Sequence, residues 1–219
     1  MKLLTACLAT AILLVGAPAA YANLVTNGSF EDTNNFDGCS NPNGCSDNTM
    51  VLSPGNTQMT GWTVTTNQLA WIGPLNPFGL TAPDGNYFLD LTSYGDSGTY
   101  GGISQMISTV AGQSYELTFD LGGSTTYGAS DSLTACAGGT CSVFSITATG
   151  TNDWLAERLS FTGTGGLMTI SLVGLSGENY IGLDDVAVTS VPEPGSLALL
   201  GAGLLGLGAV RRRRKTRTA

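Results

Sequence analysis

Hydrolysis of a glycosidic bond needs only two suitably spaced carboxyl groups. Carboxylates are the reactive side chains this sequence holds in number, sixteen Asp and Glu against eight Lys and Arg. Glu116, Asp120, Glu157 and Glu178 are scattered candidates, and nothing in their spacing selects a pair. Asp184 and Asp185 are not a pair by adjacency alone, because neighbours along a strand point to opposite faces. Solvated strand faces and turns are the better account of these residues. Composition closes other routes. The chain has no histidine, which removes His-dependent triads, imidazole zinc sites and His-ligated haem. Serines are plentiful, but none sits in a Gly-x-Ser-x-Gly elbow. The expectation is a protein that is not an enzyme.

Binding chemistry is better supplied. Sugar recognition combines an aromatic platform for the apolar sugar face with polar groups that fix the hydroxyls. Trp71 has Asn67, Gln68 and Asn76 nearby, and Tyr94 and Tyr100 flank the loop Gly95-Asp96-Ser97-Gly98-Thr99. Trp71, Tyr94 and Tyr100 are therefore the candidate ligand platform, whereas Trp62 and Trp154 read as packing residues. Hard oxygen ligands suit calcium, and the chain is rich in Asp, Glu and Asn. Asp84-Gly85-Asn86 and Asp96-Ser97-Gly98 do not have EF-hand spacing and read as turns.

The cysteines sit at close spacings, Cys39-x5-Cys45 and Cys136-x4-Cys141. Zinc sites favour two-residue spacings and usually histidine. In Cys136-Ala-Gly-Gly-Thr-Cys141 a turn on Gly138-Gly139 pairs Ala137 with Thr140 and sets Cys136 opposite Cys141, about 4.5 Å apart at Cα and within disulfide range. Cys39 and Cys45 flank Ser-Asn-Pro-Asn-Gly, a turn-rich loop that a second local bridge would pin.

Short strands must position these groups. Apolar, β-branched stretches separated by turn residues fall at Trp62–Val64, Leu69–Ile72, Tyr87–Leu91, Gly102–Val110 and Ser114–Leu121. Others fall at Ser142–Ala148, Trp154–Phe161, Leu167–Leu172 and Ile181–Val188. Tyr115, Leu117 and Phe119 alternate with Glu116, Thr118 and Asp120, the signature of a half-buried strand. No stretch between the two ends keeps a helical period. The reading is all-β, a two-sheet antiparallel jelly-roll sandwich over residues 23–190, large enough to fold without a cofactor.

Charge is unevenly distributed. Arg158 is the single basic residue within 23–190 and faces fifteen acidic ones, a net charge of −14. Nucleic acid binding needs Lys and Arg to neutralise phosphates, so nucleic acid is excluded as a partner.

The two ends differ from the body. Met1-Lys2, the apolar run Leu3–Val15 and Ala20-Tyr21-Ala22 form the pattern of a secretory signal peptide over residues 1–22, with Asn23 as the mature start. Residues 191–219 contain Pro192-Glu193-Pro194, the apolar run Leu197–Val210 and Arg211-Arg212-Arg213-Arg214. Fourteen apolar residues span roughly 21 Å as a helix, short of the ~30 Å hydrocarbon core, with the arginines kept cytoplasmic. This order of motif, apolar helix and basic cluster resembles the PEP-CTERM sorting signal of Gram-negative bacteria that make extracellular polysaccharide. The resemblance implies export, a transient stay in the inner membrane and processing near Pro192-Glu193-Pro194 by the membrane protease exosortase. The product would lie at the cell surface or in the extracellular matrix.

The body has its own signposts: Asn23-Leu24-Val25-Thr26-Asn27-Gly28-Ser29-Phe30-Glu31, Gly61-Trp62, Leu89-Asp90-Leu91, Gly102-Ile103-Ser104-Gln105 and Gly182-Leu183-Asp184-Asp185-Val186. It resembles the galactose-binding-like jelly rolls of choice-of-anchor exported proteins, plant cell-wall proteins and carbohydrate-binding modules. The Cys39–Pro54 stretch departs from that pattern and reads as an added loop. The resemblance implies extracellular polysaccharide as partner. It also implies a structural calcium held by Glu31, by Asp184 or Asp185 and by nearby backbone carbonyls, tying the opening segment to the last strand.

Overall fold

Period-two alternation builds the body strand by strand. The computed structural model describes residues 22–38, 48–92 and 100–192, together with Ala202, Gly203 and Gly206, which are helical. Eleven strands follow along these residues: β1 (Thr49–Leu52), β2 (Thr63–Val64), β3 (Leu69–Ile72), β4 (Phe88–Asp90), β5 (Gly102–Thr109) and β6 (Ser114–Gly123). They continue as β7 (Ser130–Ala137), β8 (Thr140–Thr147), β9 (Asp153–Thr162), β10 (Gly166–Ser176) and β11 (Gly182–Ser190). Six pair in the order β1-β3-β4-β11-β6-β9 and five in the order β2-β5-β10-β7-β8. The strand pairings are antiparallel, and the fold is an all-β jelly-roll sandwich.

The core lies between the sheets. Leu117, Phe119 and Leu121 from β6 and Leu183 and Val188 from β11 share one buried cluster with Leu133 and Ala135 from β7 and Ile170 and Leu172 from β10. Each of the nine expected stretches holds a strand. Two strands lacked a sequence signal. β7 reads Ser-Asp-Ser-Leu-Thr-Ala-Cys-Ala, and its inward row of Asp131, Leu133, Ala135 and Ala137 is too small and polar to stand out. β1 lies inside the stretch read as an added loop and is an edge strand, paired to β3 from Thr49↔Ile72 to Leu52↔Leu69.

A second layer covers part of the outer face of the six-stranded sheet. The segment from Gly73 to Tyr87 brings Leu80 onto Ala70, Ile72, Phe88 and Tyr180, with Phe78, Ala82, Tyr127 and Trp154 around them. Trp154 stands edge-on to Phe88 and Tyr180 and donates from Nε1 to the Thr81 carbonyl. Gly122 makes this close approach possible. A Cβ there would lie 2.7 Å from the Tyr180 hydroxyl and 2.8 Å from the Trp154 ring.

The expected bridge between Cys136 and Cys141 is present, with Cα atoms 4.1 Å apart on the β7–β8 hairpin, which turns at Gly138 with φ of 57°. Cys39 and Cys45, the signal segment up to Tyr21, and the tail from Glu193 with Pro194 and Arg211–Arg214 lie outside these residues. Among the described residues no helix is long and apolar enough to cross a membrane. The bridge closes a very short loop, so chain-entropy arguments assign it about 2 kcal/mol. Replacing Cys136 and Cys141 together by Ser should lower the urea-unfolding free energy by that amount while leaving one cooperative transition.

Candidate functional site

Of the aromatic platform expected from sequence, Trp71 is closed to any ligand. Trp71 is 0% exposed, so no face of its ring is open to a ligand. The reason is its strand: β3 is covered on both faces, and all four of its residues are buried. Trp71 donates from Nε1 to the Phe30 carbonyl at 3.2 Å and meets Phe36 and Tyr87 edge-on. Tyr100 packs against the same core, and its hydroxyl donates to the Gly177 carbonyl and accepts from the Gly177 N–H. It orders the turn before β11. Tyr94 lies outside the described residues.

Glu31 and Asp184 do converge, on one turn. Glu31 Oε1 accepts from the N–H groups of Asn86 and Tyr87 at 2.6 and 2.7 Å, while Asp184 Oδ2 accepts from Asp84 N–H at 3.3 Å. The two carboxylates therefore grip opposite ends of residues 84–87. β11 bulges between Asp184 and Ala187, and Asp185 takes φ of 46°. The bulge leaves Asp184 buried and turns Asp185 into an outer depression. Asp184 also accepts from Asp185 N–H, and burial outweighs these bonds, pushing its carboxyl up to about 8. Both amide bonds to Glu31 fall on Oε1, and Asp184 spends one bond on each of its oxygens. Among the described residues no three Asp, Glu, Cys or His side chains converge as metal ligands.

A different grouping emerges on the outer face of the six-stranded sheet. Glu116, Thr118 and Asp120 of β6, Ala156 and Arg158 of β9, and Asp185 of β11 line a shallow depression of about 210 Å³, with Glu157 at its margin. Register brings them together: Thr118 lies opposite Arg158 and Asp120 opposite Ala156. Half-exposed Trp154 follows on the same face of β9, opposite Gly122. Arg158 is 76% exposed and reaches Glu116 at 4.0 Å, a loose surface pair of little stabilising value. Its guanidinium remains available as a donor. Burial, then the charges of Asp185 and Asp84, push the Asp120 carboxyl above the usual range. The depression thus offers hydroxyl acceptors, one cation and a threonine hydroxyl side by side. Glu116, Asp120 and Asp185 stood in the sequence without a reason to group; the pairing of β6 with β9 and the bulge in β11 group them, while Glu157, opposite the inward Phe119, stays at the margin. Glu178 stays apart, beside Gly128.

Buried acid is also present at the end of the sandwich where β6 finishes. Asp131 points inward between Gly123 and Gly177, 2% exposed, and no protein group bonds to either carboxyl oxygen. Burial, reinforced by Asp90 and Glu178, pushes it up to about 8. Asp90 is better served, by the Thr92 and Ile181 N–H groups and the Thr92 hydroxyl, yet burial still raises it to about 6.

Fold and surface define a jelly-roll sandwich whose six-stranded sheet carries an acidic outer depression. The chain belongs to the family described as "Protein of unknown function (DUF642)", whose model matches residues 23–188. Residues 190–214 match the PEP-CTERM protein-sorting motif, so the tail is that of an exported protein processed at its C-terminus. No curated protein matches the chain. Similar solved structures include TmCBM61 in complex with β-1,4-galactotriose, 18% identical with a TM-score of 0.47, over 78% of this chain and 99% of that one. A family 35 carbohydrate binding module from Clostridium thermocellum is 14% identical with a TM-score of 0.40, over 66% of this chain and 93% of that one. The isomalto-dextranase of Arthrobacter globiformis T6 complexed with panose is 16% identical with a TM-score of 0.43, over 58% of this chain. This chain spans 23% of that enzyme's length.

The buried carboxyls give a stability profile with a definite sign. Asp131 and Asp90 hold protons in the folded state above the unfolded value of 3.8. Between about pH 4 and 8 the folded chain therefore binds more protons than the unfolded one, and stability falls as pH rises. Thermal melts should show the melting temperature declining across that window. Asp131→Asn should flatten the slope and raise the melting temperature at pH 8; an unchanged slope would remove Asp131 from this account.

Proposed function

We propose that the protein is a non-catalytic surface or extracellular-matrix protein of a Gram-negative bacterium, carried through the inner membrane, processed at its tail by exosortase and associated with extracellular polysaccharide. The carrying observation is the depression on the six-stranded sheet. It sets Arg158, the one cation of a body with net charge −14, beside Glu116, Asp120, Asp185 and Thr118, with Trp154 adjacent. Carboxylates accept from sugar hydroxyls and the guanidinium donates to ring and hydroxyl oxygens. A surface this acidic repels acidic glycans and favours uncharged ones.

A second reading, hydrolysis by two carboxylates, draws on the raised Asp120 carboxyl beside Asp185. A structural surface protein without sugar specificity is the third. Retention of the purified protein on uncharged and acidic polysaccharide gels separates them. Arg158→Ala should weaken retention on the uncharged gel by about tenfold, a loss of ~1.4 kcal/mol, with no reducing ends released by the parent protein. Reducing ends lost in Asp120→Asn would establish the hydrolase, and indifference of every gel to both substitutions would favour the third reading.

Calcium enters only as a proposal of its own. Glu31 and Asp184 meet at the 84–87 turn, where the amide bonds to Glu31 fall on Oε1 alone. Melts with and without EDTA should coincide; a fall of several degrees in chelator would place an ion there.

A further inference from the structure

We infer that the end of the sandwich from which the tail leaves is a membrane-facing surface, resting on lipid headgroups while the tail is still embedded. The inference builds on the sorting-tail reading and adds a surface that the motif does not specify.

The chain exit is bonded into that end. Val191 donates its N–H to the Ser114 carbonyl, and the Gln113 side chain donates to the Val191 carbonyl. Gln113 also begins the link to the neighbouring turn, since Gly163 N–H donates to its carbonyl and Gly112 N–H donates to the Gly163 carbonyl. The turn after β5, the turn before β10 and the exit therefore form one continuous tip. On it stand Val110, 66% exposed, Leu167, 71% exposed, and Val191, 39% exposed.

Charge is absent from the segments that build this tip. Residues 101–115, 159–177 and 186–192 contain no Asp, Glu, Lys or Arg, in a body whose net charge is −14. Asp131 and Asp153 lie at the opposite end, where β6 terminates against β9 at Gly123↔Asp153. The tail then restricts where the tip can be. Only Pro192 to Ser196 separate Val191 from the apolar run that starts at Leu197. Even fully extended, a link this short reaches about 20 Å. A body tethered so closely must present some surface to the bilayer. Carboxylates would be repelled by an anionic leaflet within a Debye length, roughly 8 Å, whereas aliphatic side chains gain by entering the headgroup boundary. The uncharged tip with its three exposed aliphatics meets both conditions.

The test uses the full chain reconstituted into vesicles of phosphatidylethanolamine and phosphatidylglycerol. An environment-sensitive fluorophore is attached at Val110→Cys or Leu167→Cys, and at Thr125→Cys on the turn at the far end of β6 as control. The unsubstituted chain is carried through labelling as blank. Brominated acyl chains should quench most of the emission at 110 and 167 and leave 125 unchanged, in a chain that floats with the vesicles. Flotation without quenching at 110 and 167, or equal quenching at all three positions, would overturn the membrane-facing tip while leaving the sorting tail intact. Failure to float would remove the tail reading and this inference with it. A blue shift at 110 and 167 that rises with protein concentration without vesicles would assign the tip to a second copy of the chain and overturn the inference.

Discussion

The alternation along β6 is the constraint from which most of this molecule follows. Tyr115, Leu117, Phe119 and Leu121 face inward and fill the middle of the core, paired on one side with β9 and on the other with β11. The same strand therefore presents Glu116, Thr118 and Asp120 outward. The candidate site is the reverse side of the core, made by the same residues' neighbours. A slip of one residue in the register would exchange the two sets, burying three polar side chains and exposing the largest apolar row. Core and site are consequently not independent designs.

The outer face is divided between two uses. Toward the end of β6 it is roofed by residues 73–87, which seal Phe88 and Tyr180 beneath Trp154. Toward its beginning it stays open and holds the depression. The boundary is the Asp84–Tyr87 turn, held from below by Asp184 and from the opening segment by Glu31. Asp184 is buried because that turn covers it, and Asp185 is exposed because the bulge in β11 reverses its direction. Two adjacent carboxylates thus serve different ends, one architectural and one at the surface.

Charge is segregated along a second axis. The tip at the chain exit is uncharged, the opposite end holds the buried acid Asp131 and the half-buried Asp90, and the flank between them holds Arg158 among carboxylates. With the tip set against lipid as inferred above, such an arrangement keeps like charge away from the headgroups and leaves the flank accessible. The small number of cations makes the arrangement possible, since nothing in the body neutralises its acids except one surface arginine.

Several of these features were legible in the residues alone. Strong period-two runs such as β6, the Gly-Gly hairpin that sets Cys136 against Cys141, the sorting motif of the tail and the near absence of cations are local properties of order and composition. They need no partner strand to be read. The rest depended on which strands become neighbours. Trp71 looked like a platform because its sequence neighbours are polar, but a strand second from a sheet edge, roofed on both faces, buries whatever it carries. β7 escaped notice because its inward row is Asp131, Leu133, Ala135 and Ala137, whose burial comes from facing β6 across the sandwich. Glu116, Asp120, Arg158 and Asp185 became one site only through the pairing of β9 and β11 with β6, a long-range register that local spacing does not encode. Sequence alone determined the strand alternation, the sorting motif and the sign of the body's charge, because these are carried by adjacent residues; tertiary pairing decided which carboxylates are buried, which meet the one arginine, and which end of the sandwich faces the tail.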